Sequence, residues 1–280
     1  MKQEKIKIGI IGVGLIGGSI GLGLKSKKFS ATIFGFDKIN NLQSAKKIGA
    51  IDLICNNIID AVINSDLIIL ALPIKNNLRV LKLVFENSKP NAIIIDTGSV
   101  KKSILDEAAK FKKGKQIFIP THPMAGKESG GIKSADKELF LNSNFIICSN
   151  NKTIPKLLFR VIKTLGAKIS FLNPKIHDKI VSEISHLPQI VSIALINSIE
   201  NKNYSFKFAA RGFKDTTRIA SSPFNIWKDI LEENKNEVLK SINNFKKSLS
   251  KIEQSLSENN YGELKKYFSE ASKRKKLIKY

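Results

Sequence analysis

The stretch "IKIGIIGVGLIGGS", Ile6 to Ser19, decides the fold. Its first half is a β-branched run of the kind found in strands covered on both faces. Its second half, "GVGLIG", sets Gly12, Gly14 and Gly17 between that strand and a helix beginning near Leu15. Glycines are needed there for a tight turn, for close approach of a pyrophosphate and for packing the helix on the strand. The helix N-terminus, at Leu15 and Ile16, then offers free N–H groups and a partial positive charge to phosphates. Asp37 follows Gly17 by 20 residues, at the end of a second apolar run, where an acid can hold both ribose hydroxyls. An acid at that point also repels the extra phosphate of NADP, so NAD is the expected cofactor. Lys38 beside it keeps NADP as the second choice. FAD uses a similar fingerprint, but no second flavin signature accompanies it.

Outward from this stretch, short apolar runs alternate with helical patterns: "ATIFGFD" (Ala31 to Asp37), "DLIILALP" (Asp66 to Pro73), "NAIIIDTG" (Asn91 to Gly98), "QIFIPTH" (Gln116 to His122), "NFIICS" (Asn144 to Ser149) and "AKISFL" (Ala167 to Leu172). That alternation predicts βαβ units and a Rossmann-type, doubly wound α/β domain with a parallel sheet over residues 1–172. Leu72, Pro73 and Thr97 fall at strand carboxyl ends, where open α/β sheets bind ligands, and are cofactor-binding candidates.

Residues 173–280 read as an all-α domain. Asn173 can cap a helix and Pro174 can open it, and that helix carries His177, His186 and Gln189 until Pro188 interrupts it. On an ideal helix His177 and His186, nine residues apart, lie on opposite sides; Ser185 and Gln189, four apart, share a face. Farther on, Val238, Ile242, Phe245, Leu249, Ile252 and Leu256 step by three and four, the spacing of a helix-packing seam. The seam serves either an intrachain bundle or a homodimer interface; the dimer is the expectation.

Composition narrows the function classes. The formal net charge of +23 invites a nucleic-acid reading, but only five of the 47 basic residues are arginine and no block interleaves basic and aromatic residues. No nucleic-acid partner is expected; the charge reads as a lysine-rich habit that steers anionic substrates. No run of 18 or more apolar residues suggests a membrane span. The Met1–Lys5 start runs directly into a strand and leaves no room for a signal peptide, so a cytoplasmic location is expected. Cys55 and Cys148 match neither a disulfide framework nor a metal-ligand spacing and read as buried spectators, with no metal site.

One stretch concentrates special chemistry: "PTHPMAGKESGG", Pro120 to Gly131, with one of only three histidines in the chain. His122 ends a strand, Pro123 holds it extended, and Gly126, Gly130 and Gly131 let a loop fold over a ligand. Hydride loss from a carbinol carbon requires a base for the hydroxyl proton, and a histidine near its ordinary pKa suits that task. In a chain that uses lysine almost everywhere, Arg211 and Arg218 within eight residues suggest a need for the rigid two-pronged guanidinium that grips a carboxylate.

Five motifs, "GVGLIGGS", "DTGSVK" (Asp96 to Lys101), "THPMAGKESGG", "HDKIVSEISHLPQ" (His177 to Gln189) and "GFKDTTRIASSP" (Gly212 to Pro223) with Trp227 beyond it, stand in an order and spacing that resembles the prephenate and arogenate dehydrogenases. The resemblance runs over nearly the whole chain. It implies an NAD-dependent oxidative decarboxylation of a cyclohexadienol in tyrosine biosynthesis: hydride leaves the ring carbon bearing the hydroxyl, the ring carboxylate departs as CO2, and the ring becomes aromatic. It implies that His122 and Ser99 hold the ring hydroxyl, with Ser99 also able to cap the helix that begins in "GSVKKSILDEA". It implies that Arg218 takes the substrate carboxylate, that Glu128, Lys214, Asp215 and Trp227 form a polar network gating the site, and that His177, Ser185 and Gln189 lie at the substrate. The family's usual "HLPH" reads "HLPQ" here, so Gln189 leaves the choice between prephenate and arogenate open. No further βαββαβ pattern follows the helices, so feedback by tyrosine is expected to act at the active site. The competing readings are a hydroxyacid dehydrogenase, which would leave "HPMAG" unexplained, and a non-catalytic NAD-binding sensor.

Overall fold

The computed structural model describes residues 5–111 and 115–278; the reading of a chain start without a signal peptide falls on Met1–Glu4, outside them. The chain divides into two compact units, Met1–Lys235 and Asn236–Tyr280. The first begins β1 (Ile6–Ile11), α1 (Leu15–Ser26), β2 (Ala31–Phe36), α2 (Ile39–Lys47), β3 (Leu53–Ile54), α3 (Ile58–Val62) and β4 (Leu67–Leu70). It continues α4 (Ile74–Asn87), β5 (Ile93–Asp96), α5 (Lys102–Phe111), β6 (Ile117–Pro123), β7 (Asn144–Cys148), α6 (Lys156–Thr164) and β8 (Lys168–Leu172). All seven runs read as strands are strands; the two-residue edge strand β3 is too short to carry a period and escapes a reading of the sequence.

The eight strands form one sheet in the order β3-β2-β1-β4-β5-β6-β7-β8. The order reverses between β1 and β4, opening the crevice where such sheets bind ligands. Residues of β4, all fully buried, explain the continuous apolar runs: Leu67 and Ile69 join the core under one sheet face with Ile8, Ile10 and Leu158, while Ile68 and Leu70 join the other with Leu81 and Val84. One pair departs from the expected parallel arrangement. Strands β6 and β7 run antiparallel, with His122 opposite Ile146, while β7 and β8 are parallel.

Beyond the sheet come α7 (Pro174–Val181), a π-helical turn at Ser182–His186, and α8 (Leu187–Asn197). Asn173 caps α7 by accepting the Lys175 amide at 2.8 Å, with Pro174 at the first position. The expected interruption at Pro188 takes another form. The chain stays helical through the proline, and the π turn just before it absorbs the break in the hydrogen-bond ladder. The inserted residue also changes which side chains share a face. Nine α-helical steps place His177 and His186 about 180° apart, and removing one step of about 100° leaves about 80°. Taken whole, Pro174–Asn197 has an 18-residue window of mean hydropathy 1.3, enough by length and composition to cross a membrane, although no run of 18 is uniformly apolar. Only 28% of that window is buried, and Ile184 and Ile193 are exposed. Three short helices, α9 (Lys202–Ser205), α10 (Arg211–Thr217) and α11 (Phe224–Glu233), complete the unit.

The second unit is a pair of helices, α12 (Lys235–Ser257) and α13 (Tyr261–Lys275), joined by a turn in which Asn260 accepts the Glu263 amide at 3.1 Å. Hydroxyls of Ser248 and Tyr267 bond across the pair. Of the predicted seam, Phe245, Leu249 and Leu256 are exposed.

Candidate active site

The glycine turn is defined by what its backbone must avoid. Gly12 has φ +96°, and a Cβ there would lie 2.6 Å from the Ala71 carbonyl group. At Gly17 a Cβ would lie 2.0 Å from the Gly12 oxygen. Gly14 differs: beyond its chain neighbours, no atom of the described residues lies within 4 Å of where its Cβ would stand. It precedes α1, whose first turn has neither a side-chain cap nor an acid. Unsatisfied helix amides beside an open glycine fit the pyrophosphate of a dinucleotide. Asp37 braces this turn, accepting the Val13 amide at 2.8 Å through Oδ2 and Asn41 Nδ2 at 3.1 Å through Oδ1.

A cleft of about 510 Å³ opens at the sheet's carboxyl edge. It is lined by the cofactor candidates Leu15, Ile16, Leu72, Pro73 and Thr97, and also by Ser99, His122, Glu128, Ser185 and Trp227 from the substrate set. Predicted residues from six separate segments therefore meet in one cavity. Ser99 is not a helix cap: α5 begins three residues later, and the amides of Lys101 and Lys102 are taken instead by Asp178, at 2.7 and 2.8 Å. The serine hydroxyl is thereby left to the cleft.

All three histidines cluster at this cleft. His122 Nδ1 lies 3.0 Å from His177 Nε2, and His177 Nδ1 lies 2.7 Å from the Asp178 carboxylate. Burial alone would raise the Asp178 carboxyl. Hydrogen bonds from His177 and the two amides outweigh burial and hold it below the ordinary value. His186 lines the cleft and meets Trp227 edge-on, ring centroids 5.9 Å apart. The Asn234 side-chain amide reaches both His186 Nδ1, at 3.2 Å, and the Asp178 backbone carbonyl, at 2.8 Å. Beneath the cluster, fully buried Lys101 pairs with Asp96 and donates to the Thr121 carbonyl at 2.7 Å. Asp96 in turn accepts the amides of Gly98 and Thr121, tying β5 to β6 just before His122.

This environment corrects the expectation of a histidine near its ordinary pKa. Burial, then the positive charge of Lys101, then the neighbouring imidazoles push His122 well below 6.5. A base so placed stays neutral to lower pH than a free histidine.

The rim is different in kind. Arg218 pairs with Glu128, the guanidinium 63% exposed. Lys214 and Asp215 lie exposed on α10, where Asp215 pairs with Arg211 at 3.3 Å, and neither lines the cleft. His177 is wholly buried behind His122. Gln189 is also buried, does not line the cleft, and has an Nε2 without a hydrogen-bond partner among the described residues. Reading the sequence missed Asp96, Lys101, Thr121, Asp178 and Asn234 as site residues. Asp96 and Lys101 stand inside "DTGSVK" and Asp178 follows His177 directly, so the motifs held a signal; Asn234 carries none. Both cysteines are buried and free, their thiols pushed up by burial to about 11 and about 12.

Known proteins resemble this chain in sequence and fold. Residues 20–171 match the family model of the prephenate dehydrogenase nucleotide-binding domain, and residues 173–270 that of the prephenate dehydrogenase dimerization domain. The prephenate dehydrogenase of Bacillus subtilis is 33% identical over 281 residues, covering 97% of this chain and 76% of the relative. Among solved structures, the A. aeolicus prephenate dehydrogenase in complex with hydroxyphenyl propionate and NAD+ superposes with a TM-score of 0.86 at 30% identity, covering 99% of this chain and 100% of that one. The Synechocystis arogenate dehydrogenase follows with a TM-score of 0.80 at 28% identity, covering 98% of this chain and 100% of that one.

Proposed function

The chain belongs to the prephenate dehydrogenase family and is an NAD-dependent oxidoreductase, and we propose that it converts prephenate to 4-hydroxyphenylpyruvate and CO2 in tyrosine biosynthesis. The observation that carries this reading is His122 at the wall of a cleft shared with the glycine-turn segment. NAD, when bound, accepts the hydride from the ring carbon that bears the hydroxyl. His122 takes the hydroxyl proton as the carbonyl forms, with Ser99 holding the same oxygen. The bond to the ring carboxylate breaks, CO2 leaves, and the released electron pair completes the aromatic ring while the former carbonyl oxygen takes the proton back from His122, so the step is effectively irreversible. Gly12, Gly14, Leu15, Ile16 and Gly17 would hold the pyrophosphate and Asp37 the ribose, and Leu72, Pro73 and Thr97 would contact the rest of the cofactor.

In this reading Arg218 holds a substrate carboxylate. Its pairing with Glu128 supports a gate, in which the substrate carboxylate displaces Glu128 from the guanidinium. Lys214, Asp215 and Trp227 belong to the same gate. The functional division at residue 172, with residues 173–280 as substrate and dimerisation domain, accompanies this proposal. A homodimer through the C-terminal helices is supported by the exposed apolar residues of α8 and α12. A cytoplasmic setting fits a biosynthetic enzyme of this kind.

Arogenate is the second reading: Gln189 stands where the family usually has a second histidine, which leaves the choice of cyclohexadienol open. NADH formation with prephenate and arogenate side by side decides between them; failure with both overturns the proposal. Gln189→His should shift kcat/KM away from arogenate, whose ammonium a partly cationic imidazole disfavours. An unchanged ratio places Gln189 away from the distinguishing group.

A further inference from the structure

We propose that Asp178 and Asn234 are positioning residues that hold His122 and His186 in opposite tautomers, giving the cleft one bare ring nitrogen and one neutral N–H donor. The inference rests on the reading of this cleft as the active site, but its evidence lies in hydrogen-bond direction alone.

The first chain starts at Asp178. Its carboxylate accepts the amides of Lys101 and Lys102, and an ionised carboxylate has no proton to give, so His177 Nδ1 must donate to it. When His177 carries a single ring proton, that proton is on Nδ1, and its Nε2 is bare and can only accept. Its partner at 3.0 Å, His122 Nδ1, must therefore be the donor, and His122 Nε2 is left without a proton. A lone pair at that atom is what a base requires.

The second chain starts at the same residue's backbone. A carbonyl oxygen can only accept, so the group of Asn234 that lies 2.8 Å from the Asp178 carbonyl must be the NH2, which fixes the amide's orientation. The second hydrogen of that NH2 points to His186 Nδ1, which must accept it. His186 therefore carries its proton on Nε2. That nitrogen is buried and has no partner among the described residues, although the imidazole lines the cleft. A desolvated N–H costs free energy until an acceptor arrives. The ligand it suits is an acceptor oxygen, a carboxylate or carbonyl of the substrate.

The chain has only three histidines, so 15N-histidine NMR of the NAD-bound enzyme near pH 7.5 can read each ring, with single His→Gln variants for assignment. The expected spectrum shows His122 and His177 protonated on Nδ1 and His186 on Nε2. Asp178→Ala removes the acceptor that fixes His177, whose Nδ1 shares Oδ1 with the Lys101 amide. It should release His177 and His122 into mixtures of tautomers, leave His186 unchanged, and lower kcat by about 10 to 10², less than loss of the base itself. Asn234→Ala should leave His122 unchanged, release His186 into a mixture of tautomers, and raise KM about tenfold with a smaller change in kcat, as loss of a binding donor does. Matching tautomers for His122 and His186 in the wild type would overturn the proposal, and that measurement does not require either variant to fold. So would an Asp178→Ala protein whose histidine spectrum is unaltered. The tautomer reading is independent of which cyclohexadienol is turned over, so its outcome is separable from that of the substrate assay.

Discussion

The glycine turn and the histidine cluster border the same cleft but are built by different means. At Gly12–Gly17 the site is backbone: a positive φ, two close approaches and the free amides of a helix start. The cluster is side chains drawn from the end of β6, from α7, from the π turn and from the residue after α11. Contiguous backbone can be specified by a short local motif, because steric exclusion acts between neighbours. A side-chain cluster exists only when long-range packing brings its members together. Damage to the turn should therefore appear as lost cofactor affinity or stability, and damage to the cluster as lost turnover.

The largest effect expected is at His122. His122→Asn should lower kcat by about 10² to 10⁴, the usual contribution of a general base, and leave the Kd for NAD nearly unchanged. Loss of NAD affinity with kcat intact would reverse the assignment of the two regions.

Next comes the rim. Arg218→Ala should raise KM about tenfold or more for prephenate and for arogenate alike, because both carry the ring carboxylate and a charge-assisted pair contributes about 1.5–3 kcal/mol. Impairment on one substrate alone would move Arg218 to the other end of the substrate.

Two glycines separate the roles within the turn itself. Gly17→Ala forces a Cβ against the Gly12 oxygen and should destabilise by about 1–3 kcal/mol, or about 2–4 °C in Tm per kcal/mol for a chain of this size. Gly14→Ala meets open space and should leave Tm within a degree or two while weakening NAD, whose pyrophosphate needs that space. Equal Tm losses for both would show that Gly14 serves the fold rather than the ligand.

The smallest effect concerns pH, and it belongs to the cluster alone. His186 is pushed down to about 4, mainly by burial, and His122 lies well below 6.5 as well. Both are folded as neutral rings, whereas the unfolded chain protonates them near 6.5. Their contribution to stability is complete above pH 6.5 and is lost progressively as pH falls towards the folded values. Tm should decline from pH 6.5 towards pH 4, and less steeply in His186→Gln. The acid limb of kcat/KM should likewise lie below 6.5, because the base stays unprotonated to lower pH; a limb at 6.5 or above would contradict the burial of His122.

From its own residues the sequence determined the strands, the glycine turn with its acid 20 residues on, the strand-end histidine and the change to helices after Leu172. Each is encoded in a few neighbouring residues, through side-chain period, backbone freedom or capping, and each is present in the fold. Tertiary structure decided the rest. It placed the π turn that rotates His186 towards His177, the buried Lys101–Asp96 pair beneath the base, and the carboxylate of Asp178 at the start of α5. Those features depend on which distant groups meet after burial and on the requirement that each buried donor and acceptor find a partner, a condition no local pattern records.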